Sequence, residues 1–125
     1  VLAWLTENFA LARRERLSGI VLLFQADPGF KYYRQGLARR GFREFLDRLY
    51  EETAAFPGQV LVVHGDTHTS RTDHPLNDPR ERPLPNFTRV ETFGYPAMGW
   101  TRAVIDTGSP TLFRFETHPW PPRLQ

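Results

Sequence analysis

The chain has 125 residues, of which 40% are hydrophobic and 24% are charged, and it contains no cysteine. This composition is typical of one small globular domain, and it excludes disulfide frameworks, cysteine-based zinc sites and thiol nucleophiles. A formal charge of only +2 argues against a nucleic-acid partner, and no apolar run is long enough to span a membrane. The chain begins at Val1 and enters a helical pattern at once, which predicts a fragment of a longer protein.

The first half of the chain predicts a βαβ unit. Apolar residues recur with helical spacing from Leu2 to Leu17 and again from Phe42 to Tyr50. Continuous apolar runs at Gly19–Phe24 and Gln59–His64 predict two parallel strands, the first of them a central strand that is buried on both faces. The polar and aromatic segment Lys31–Arg40 predicts a loop between them.

The second half predicts a long loop, Gly65–Asn86, followed by an antiparallel β-meander. The meander strands are expected at Phe87–Phe93, Trp100–Asp106 and Leu112–Glu116. Candidate core positions on them are Val90, Val104, Phe113 and Phe115. We expect a single domain over residues 1–118 and an extended tail over residues 119–125.

A cluster of polar residues follows the second predicted strand, at His64-Gly65-Asp66-Thr67-His68. In open α/β sheets, ligands bind at the carboxyl ends of the strands. Imidazole and carboxylate groups are ligands for Zn, Mn or Fe, and in an extended stretch positions 64, 66 and 68 point to one side. A histidine at a strand end is also commonly an ordinary hydrogen-bonded side chain, and this interpretation stays open for His64.

The stretch Val60–His68 resembles the last metal motif of the calcineurin-like metallophosphoesterases, a strand followed by Gly-His-x-His, with Asp66 in place of the first histidine. The order of elements is also similar. The same residues match the family's first motif, Asp-x-His after a strand, but the Gly-Asp and Gly-Asn-His motifs expected after it do not follow in this chain. The resemblance therefore implies an α/β fold, the C-terminal part of a four-layer αββα sandwich with a mixed sheet.

The resemblance also implies a set of metal ligands. Asp66 and His68 would each bind a metal ion. Where the family has another histidine, either Gln25 or Asp27 would substitute for it, or the position has lost its ligand. The ions would be Mn, Zn, Fe or Mg, forming a dinuclear centre in the intact protein, and the added carboxylate favours the harder Mn or Mg. The remaining ligands would come from a missing N-terminal half of the same protein.

Two further residues are candidates for catalytic roles. His64 would orient a metal ligand, and Arg71 would pair with a phosphate oxygen, although a solvated loop arginine is the alternative for Arg71. The segment Phe30–Arg34 mixes aromatic and basic side chains, as sites that stack a nucleotide base do, and as loops that pack on a sheet also do.

The function implied is metal-dependent hydrolysis of a phosphoester small molecule or nucleotide, with this chain inactive alone. The alternative is a non-catalytic ligand-binding module on a degenerate scaffold of the same family, which Gln25 in the place of a histidine indicates. We also expect the isolated piece to self-associate, because half of a sandwich leaves one sheet face and strand edges exposed.

Overall fold

The computed structural model of the chain describes residues 1–122, which form three helices and six strands. In chain order the elements are α1 (Leu2–Arg14), β1 (Gly19–Leu23), α2 (Phe30–Arg34), α3 (Arg40–Ala55), β2 (Gln59–His64), β3 (Arg71–Asp73), β4 (Phe87–Glu91), β5 (Met98–Ile105) and β6 (Phe113–Trp120). The expected tail belongs to β6 as far as Trp120, and its residues 123–125 lie outside the described part of the chain.

Four strands form a mixed sheet in the order β1-β2-β4-β3. Strands β1, β2 and β4 are parallel, and the short β3 is antiparallel to β4. Strands β5 and β6 form a separate antiparallel hairpin. The predicted α/β class with a mixed sheet is confirmed.

The predicted meander is wrong in its first strand. β4 lies beside β2, parallel to it, with Val60 opposite Phe87 and His64 opposite Glu91, and it does not pair with β5. The prediction failed because Arg89 and Glu91 made the segment look like an alternating, half-exposed strand, whereas both charged side chains are buried. β4 is therefore an interior strand. The long loop before it contains β3 and returns the chain to the start of the sheet.

The prediction of a central β1 is also wrong. β1 is an edge strand, and Val21 and Leu23 are 51% and 77% exposed. A continuous apolar run indicates that burial of both faces of the strand is favourable. It does not indicate whether the residues that bury them belong to the same chain. Among residues 1–122 nothing covers this edge of β1.

The core lies between the sheet and the helices. Helix α3 begins two residues before its predicted apolar stripe and buries Leu46 and Leu49, while α1 buries Leu5 and Phe9. Burial of a Leu or Phe side chain contributes about 2 kcal/mol. These helices pack on the alternating strand residues that face them, which are Leu22, Val60, Val62 and Phe87. The core therefore fixes the positions of β2 and β4, and with them the points at which the following loops begin.

The hairpin is less buried than the sheet. Of the four core positions predicted on the second half, Val90 is buried, whereas Val104, Phe113 and Phe115 are only partly buried. The loop before β6 approaches the start of β1, since a methyl group at Gly19 would clash with the side chain of Leu112. The predicted loop at 31–40 contains the one-turn helix α2 at its start.

Candidate functional site

Two loops meet where β1 and β2 end. The amide of Gly65 donates to the carbonyl of Gln25 over 3.0 Å, and the amide of Asp27 donates to Oδ2 of Asp66 over 3.0 Å. Because β1 and β2 are parallel and in register, both loops leave the same edge of the sheet. The two segments that the sequence analysis singled out are therefore brought together.

His64 is buried and engaged on both ring nitrogens. Nη1 of Arg89 donates to Nε2 over 3.0 Å, and Nδ1 lies 2.8 Å from the carbonyl oxygen of Gly65. Since a guanidinium only donates, Nε2 must accept, and Nδ1 carries the proton that it donates to Gly65. The ring also stacks on Phe24 at a centroid distance of 6.2 Å. His64 thus ties the start of the loop to the sheet, with neither nitrogen free for a metal.

The partner of His64 is a buried arginine, and sequence reasoning missed its ion pair with an aspartate whose side chain is 40% exposed. Arg89 donates to both carboxylate oxygens of Asp73, from Nε over 2.5 Å and from Nη2 over 2.7 Å, and its guanidinium lies 5.3 Å from the centre of the Phe30 ring. One arginine therefore joins β3, β4 and the end of β2. The available signal was an arginine in the middle of an apolar strand, where an unpaired charge would be very costly.

Asp66 lies at the wall of a cavity of about 430 Å³, and Asp27 lines the same cavity. The residues around them are Pro28, Gly29, Tyr32, Leu37, Ala38, Arg39, Phe42 and Thr67. Asp66 has a φ of +85°, a left-handed conformation that is uncommon for a residue other than glycine. Both carboxylates therefore belong to the wall of one cavity, and carboxylate oxygens are the type of donor that hard cations prefer.

His68 lies two residues further on and is exposed. Its φ is +62°, so the loop has left-handed residues on both sides of Thr67. Nδ1 lies 2.6 Å from the carbonyl oxygen of Tyr95, to which it donates, and the ring packs against Gly94, where a methyl group would lie 2.6 Å from Cγ. This bond leaves Nε2 without a hydrogen-bond partner among residues 1–122. His68 does not line the cavity that Asp66 lines.

Arg71 is held by a buried carboxylate that sequence reasoning also missed. Its Nε and Nη2 each lie 2.8 Å from Oε1 of Glu91, a side chain with no solvent exposure, and Thr67 donates its hydroxyl to the other oxygen. Burial by itself would raise the pKa of Glu91, but the hydrogen bonds from Thr67 and Arg71 outweigh it and lower the pKa below its ordinary value. Glu91 is therefore ionised, and its carboxylate holds the 66–71 loop through Thr67 and Arg71.

Gln25 is not placed with the other candidates. Its exposed side chain lines a separate apolar groove of about 610 Å³, together with Trp4, Leu23 and Phe42. Its backbone carbonyl accepts a hydrogen bond from the amide of Gly65. Of the two residues considered for this position, the structure brings Asp27 and not Gln25 into the cavity with Asp66.

The donor set of this chain is incomplete for a metal ion. Within residues 1–122 no three His, Asp or Glu side chains gather as a metal-binding group, whereas a catalytic metal commonly takes three protein ligands. The described residues provide two carboxylates in one cavity wall, and one imidazole whose Nε2 has no hydrogen-bond partner.

No helix within residues 1–122 has both the length and the apolar surface needed to cross a bilayer.

Comparison of the chain with protein families, with curated proteins and with solved structures finds no match.

Proposed function

We propose that this chain is the C-terminal half of a metal-dependent phosphoesterase, within a four-layer αββα sandwich. The observation that carries the proposal is the loop after β2, in which Asp66 and His68 both adopt left-handed backbone conformations. Other residues that share this conformation are Arg16, Glu81 and Leu112. Asp66 and His68 differ from these because they lie two positions apart at the carboxyl edge of the sheet. The resemblance of Val60–His68 to a metallophosphoesterase motif points the same way.

The proposal assigns part of a metal centre to three side chains of this chain. In this proposal, Asp66 and Asp27 supply carboxylate oxygens and His68 supplies Nε2, because its Nδ1 is committed to the Tyr95 carbonyl, the arrangement usual for a metal-bound imidazole. The other ligands come from an N-terminal half of the same protein, and the oxygen-rich set favours Mn or Mg over Zn or Fe. A bound pair of such ions would activate water and neutralise the charge of the phosphoester.

The other residues of this chain hold the loop in position. His64 and Arg89 fix its start, and Glu91 fixes Thr67 and Arg71. Because Glu91 engages Nε and Nη2 of Arg71, only Nη1 is left for the phosphate contact proposed from the sequence. In this proposal Arg71 is first of all a positioning residue for the loop.

The proposal is tested in the complete protein with Mn²⁺ and a phosphoester substrate. His68→Ala is expected to reduce kcat to near background, while the free energy of unfolding falls by no more than about 1 kcal/mol, because the side chain is exposed and makes one hydrogen bond, to the Tyr95 carbonyl. His118→Ala is the matched control, since His118 is an exposed histidine on β6 and should leave turnover intact. Unchanged turnover in His68→Ala would remove this residue from catalysis.

The alternative is a binding module on the same scaffold without hydrolysis. The observation that favours it is the absence of three gathered ligands within residues 1–122, together with the position of Gln25 outside the cavity. A calorimetric titration of the complete protein with Mn²⁺ separates the two. Stoichiometric binding supports the phosphoesterase, and heat no larger than dilution supports the binding module.

For the isolated chain we propose association of two copies through β1. Its solvent-accessible surface is 8508 Å², against about 6,900 Å² expected for a compact monomer of this mass. The difference between these two areas is comparable to the surface that a stable interface buries. The unpaired edge of β1, with exposed Val21 and Leu23, would allow antiparallel pairing of two copies about a two-fold axis. Sedimentation is expected to show a dimer that Leu23→Lys converts to a monomer, with Ile105→Lys on the hairpin as control; a monomer at all concentrations would refute it.

A further inference from the structure

The cavity beside Asp66 has both polar and aromatic residues in its wall. Asp27, Asp66 and Thr67 are among its polar residues, and Tyr32 and Phe42 are its two aromatic residues. The cavity volume of about 430 Å³ is within the range of sites that enclose small organic ligands. Tyr32 and Phe42 keep 56% and 38% of their surface exposed, so neither ring is used to fill the core.

The ring of Tyr32 is presented by a rigid support. On either side of it in α2, Phe30 is buried against Phe87 at a centroid distance of 5.7 Å, and the hydroxyl of Tyr33 donates to Asp47 of α3 over 2.6 Å. Burial and this hydrogen bond raise the pKa of Tyr33, so it stays protonated and keeps the bond. Because its neighbours anchor the helix, Tyr32 offers a face to a ligand with little loss of conformational entropy.

Among the described residues, the cavity wall contains one cationic side chain, Arg39. It belongs to segment 28–43, which contains five Lys and Arg residues and no Asp or Glu. Arg40 pairs with Glu44, and Arg43 donates to the carbonyl of Ala38, but Arg39, which lines the cavity, forms no ion pair with any residue in 1–122. An uncompensated guanidinium next to exposed aromatic faces is the combination that binds a planar ring carrying an anionic group.

We propose that this cavity is the subsite for the organic group of the substrate, and that it selects phosphoesters of a nucleoside over those of a sugar alone. The base lies against Tyr32 and Phe42, Arg39 contacts the anionic part, and the phosphoester is directed toward Asp66 and Asp27. The orientation of the phosphoester toward Asp66 and Asp27 rests on the proposed phosphoesterase function. The preference for a nucleoside rests on the residues of the cavity itself.

The test compares two anions that differ in the base, AMP and ribose 5-phosphate, titrated into the ¹⁵N-labelled chain in the presence of Mg²⁺. We expect AMP to bind at least about tenfold more tightly, since stacking of a base on an aromatic side chain commonly contributes that much. Tyr32→Ala is expected to abolish the difference, and Arg39→Gln to weaken both ligands by the same factor. Trp100→Ala, which removes a 56% exposed aromatic side chain of β5 outside the cavity, should change neither affinity.

Equal affinities for the two ligands in the unaltered chain would overturn the proposal, as would a loss of AMP binding in Trp100→Ala as large as that in Tyr32→Ala. Tyr32→Leu keeps an apolar side chain on α2 and serves as a second variant if Tyr32→Ala does not fold. Phosphate release by the complete protein is measured separately. Selective AMP binding without hydrolysis would support the subsite and contradict the phosphoesterase proposal. Hydrolysis without selectivity for AMP would support the phosphoesterase proposal and contradict the subsite.

Discussion

His64 and His68 are four residues apart, and they belong to two regions with opposite physical character. The first is a buried polar network of His64, Arg89 and Asp73, together with the pair formed by Glu91 and Arg71, in which each charged group has a close partner. The second is the 66–68 loop with its cavity, exposed and left-handed at two residues. The comparison shows that charged side chains with close partners lie beneath an exposed loop that has two left-handed residues.

The largest effect is expected from Arg89→Met, which breaks the buried network. It removes both hydrogen bonds to Asp73 and the donor to His64, so we expect a loss of about 3 kcal/mol in the free energy of unfolding. Urea denaturation measures it. Arg102→Met is the control, because that arginine is exposed and 3.6 Å from Glu116, and it should cost less than about 0.5 kcal/mol. Similar losses in both variants would mean that the network does not hold the fold.

A smaller effect is expected from Glu91→Gln, which keeps the shape of the buried group and removes its charge. At neutral pH the ion pair with Arg71 weakens, and about 1–2 kcal/mol of unfolding free energy is lost. The folded-state pKa of Glu91 is lowered, so its contribution is present above the unfolded pKa and disappears as the pH falls through the folded value.

Urea unfolding from neutral pH down to about pH 3 checks this prediction. The unaltered chain should lose stability more steeply on acidification than Glu91→Gln, and the two curves should converge at the acid end. Glu116→Gln, at a half-exposed glutamate of the hairpin, provides the control slope. Parallel curves for the unaltered chain and Glu91→Gln would show that the buried carboxylate does not couple to folding.

Gly94→Ala tests whether the exposed loop depends on its surroundings. The added methyl group would lie 2.6 Å from Cγ of His68, so the ring must move away from the Tyr95 carbonyl, at a cost of about 1 kcal/mol. The ¹⁵N chemical shifts of the His68 ring report the movement. Gly41→Ala has open space at its Cβ in α3 and is expected to stabilise the chain by up to about 1 kcal/mol. Unchanged His68 shifts would show that Gly94 does not position this ring.

The smallest effect on stability is expected from Asp66→Asn. Asparagine adopts left-handed backbone readily, and its side-chain oxygen still accepts from the amide of Asp27, so the unfolding free energy should change by less than about 0.5 kcal/mol. In the complete protein the same change should weaken Mn²⁺ binding, measured by calorimetry, because an amide replaces a carboxylate. A large loss of stability in Asp66→Asn would place this residue with the buried network instead.

The sequence alone determined the elements whose signal is local. The apolar run of β2 and the amphipathic stripe of α3 follow from the spacing of residues close in the chain, and both are confirmed. The neighbourhood of Asp66 and His64 was also predictable, because a polar cluster directly after a buried strand lies at the carboxyl edge of the sheet.

Only the tertiary structure decided which distant residues meet. That Arg89 pairs with Asp73 and His64, that Asp27 and not Gln25 joins Asp66, and that β4 lies beside β2 all depend on strand order and register. In a hydrophobicity pattern, a buried charged residue cannot be distinguished from an exposed one, because the pattern contains the polarity of the side chain and not the identity of its ion-pair partner. Periodicity describes one strand or helix at a time, whereas the pairing of charges is a property of the assembled sheet.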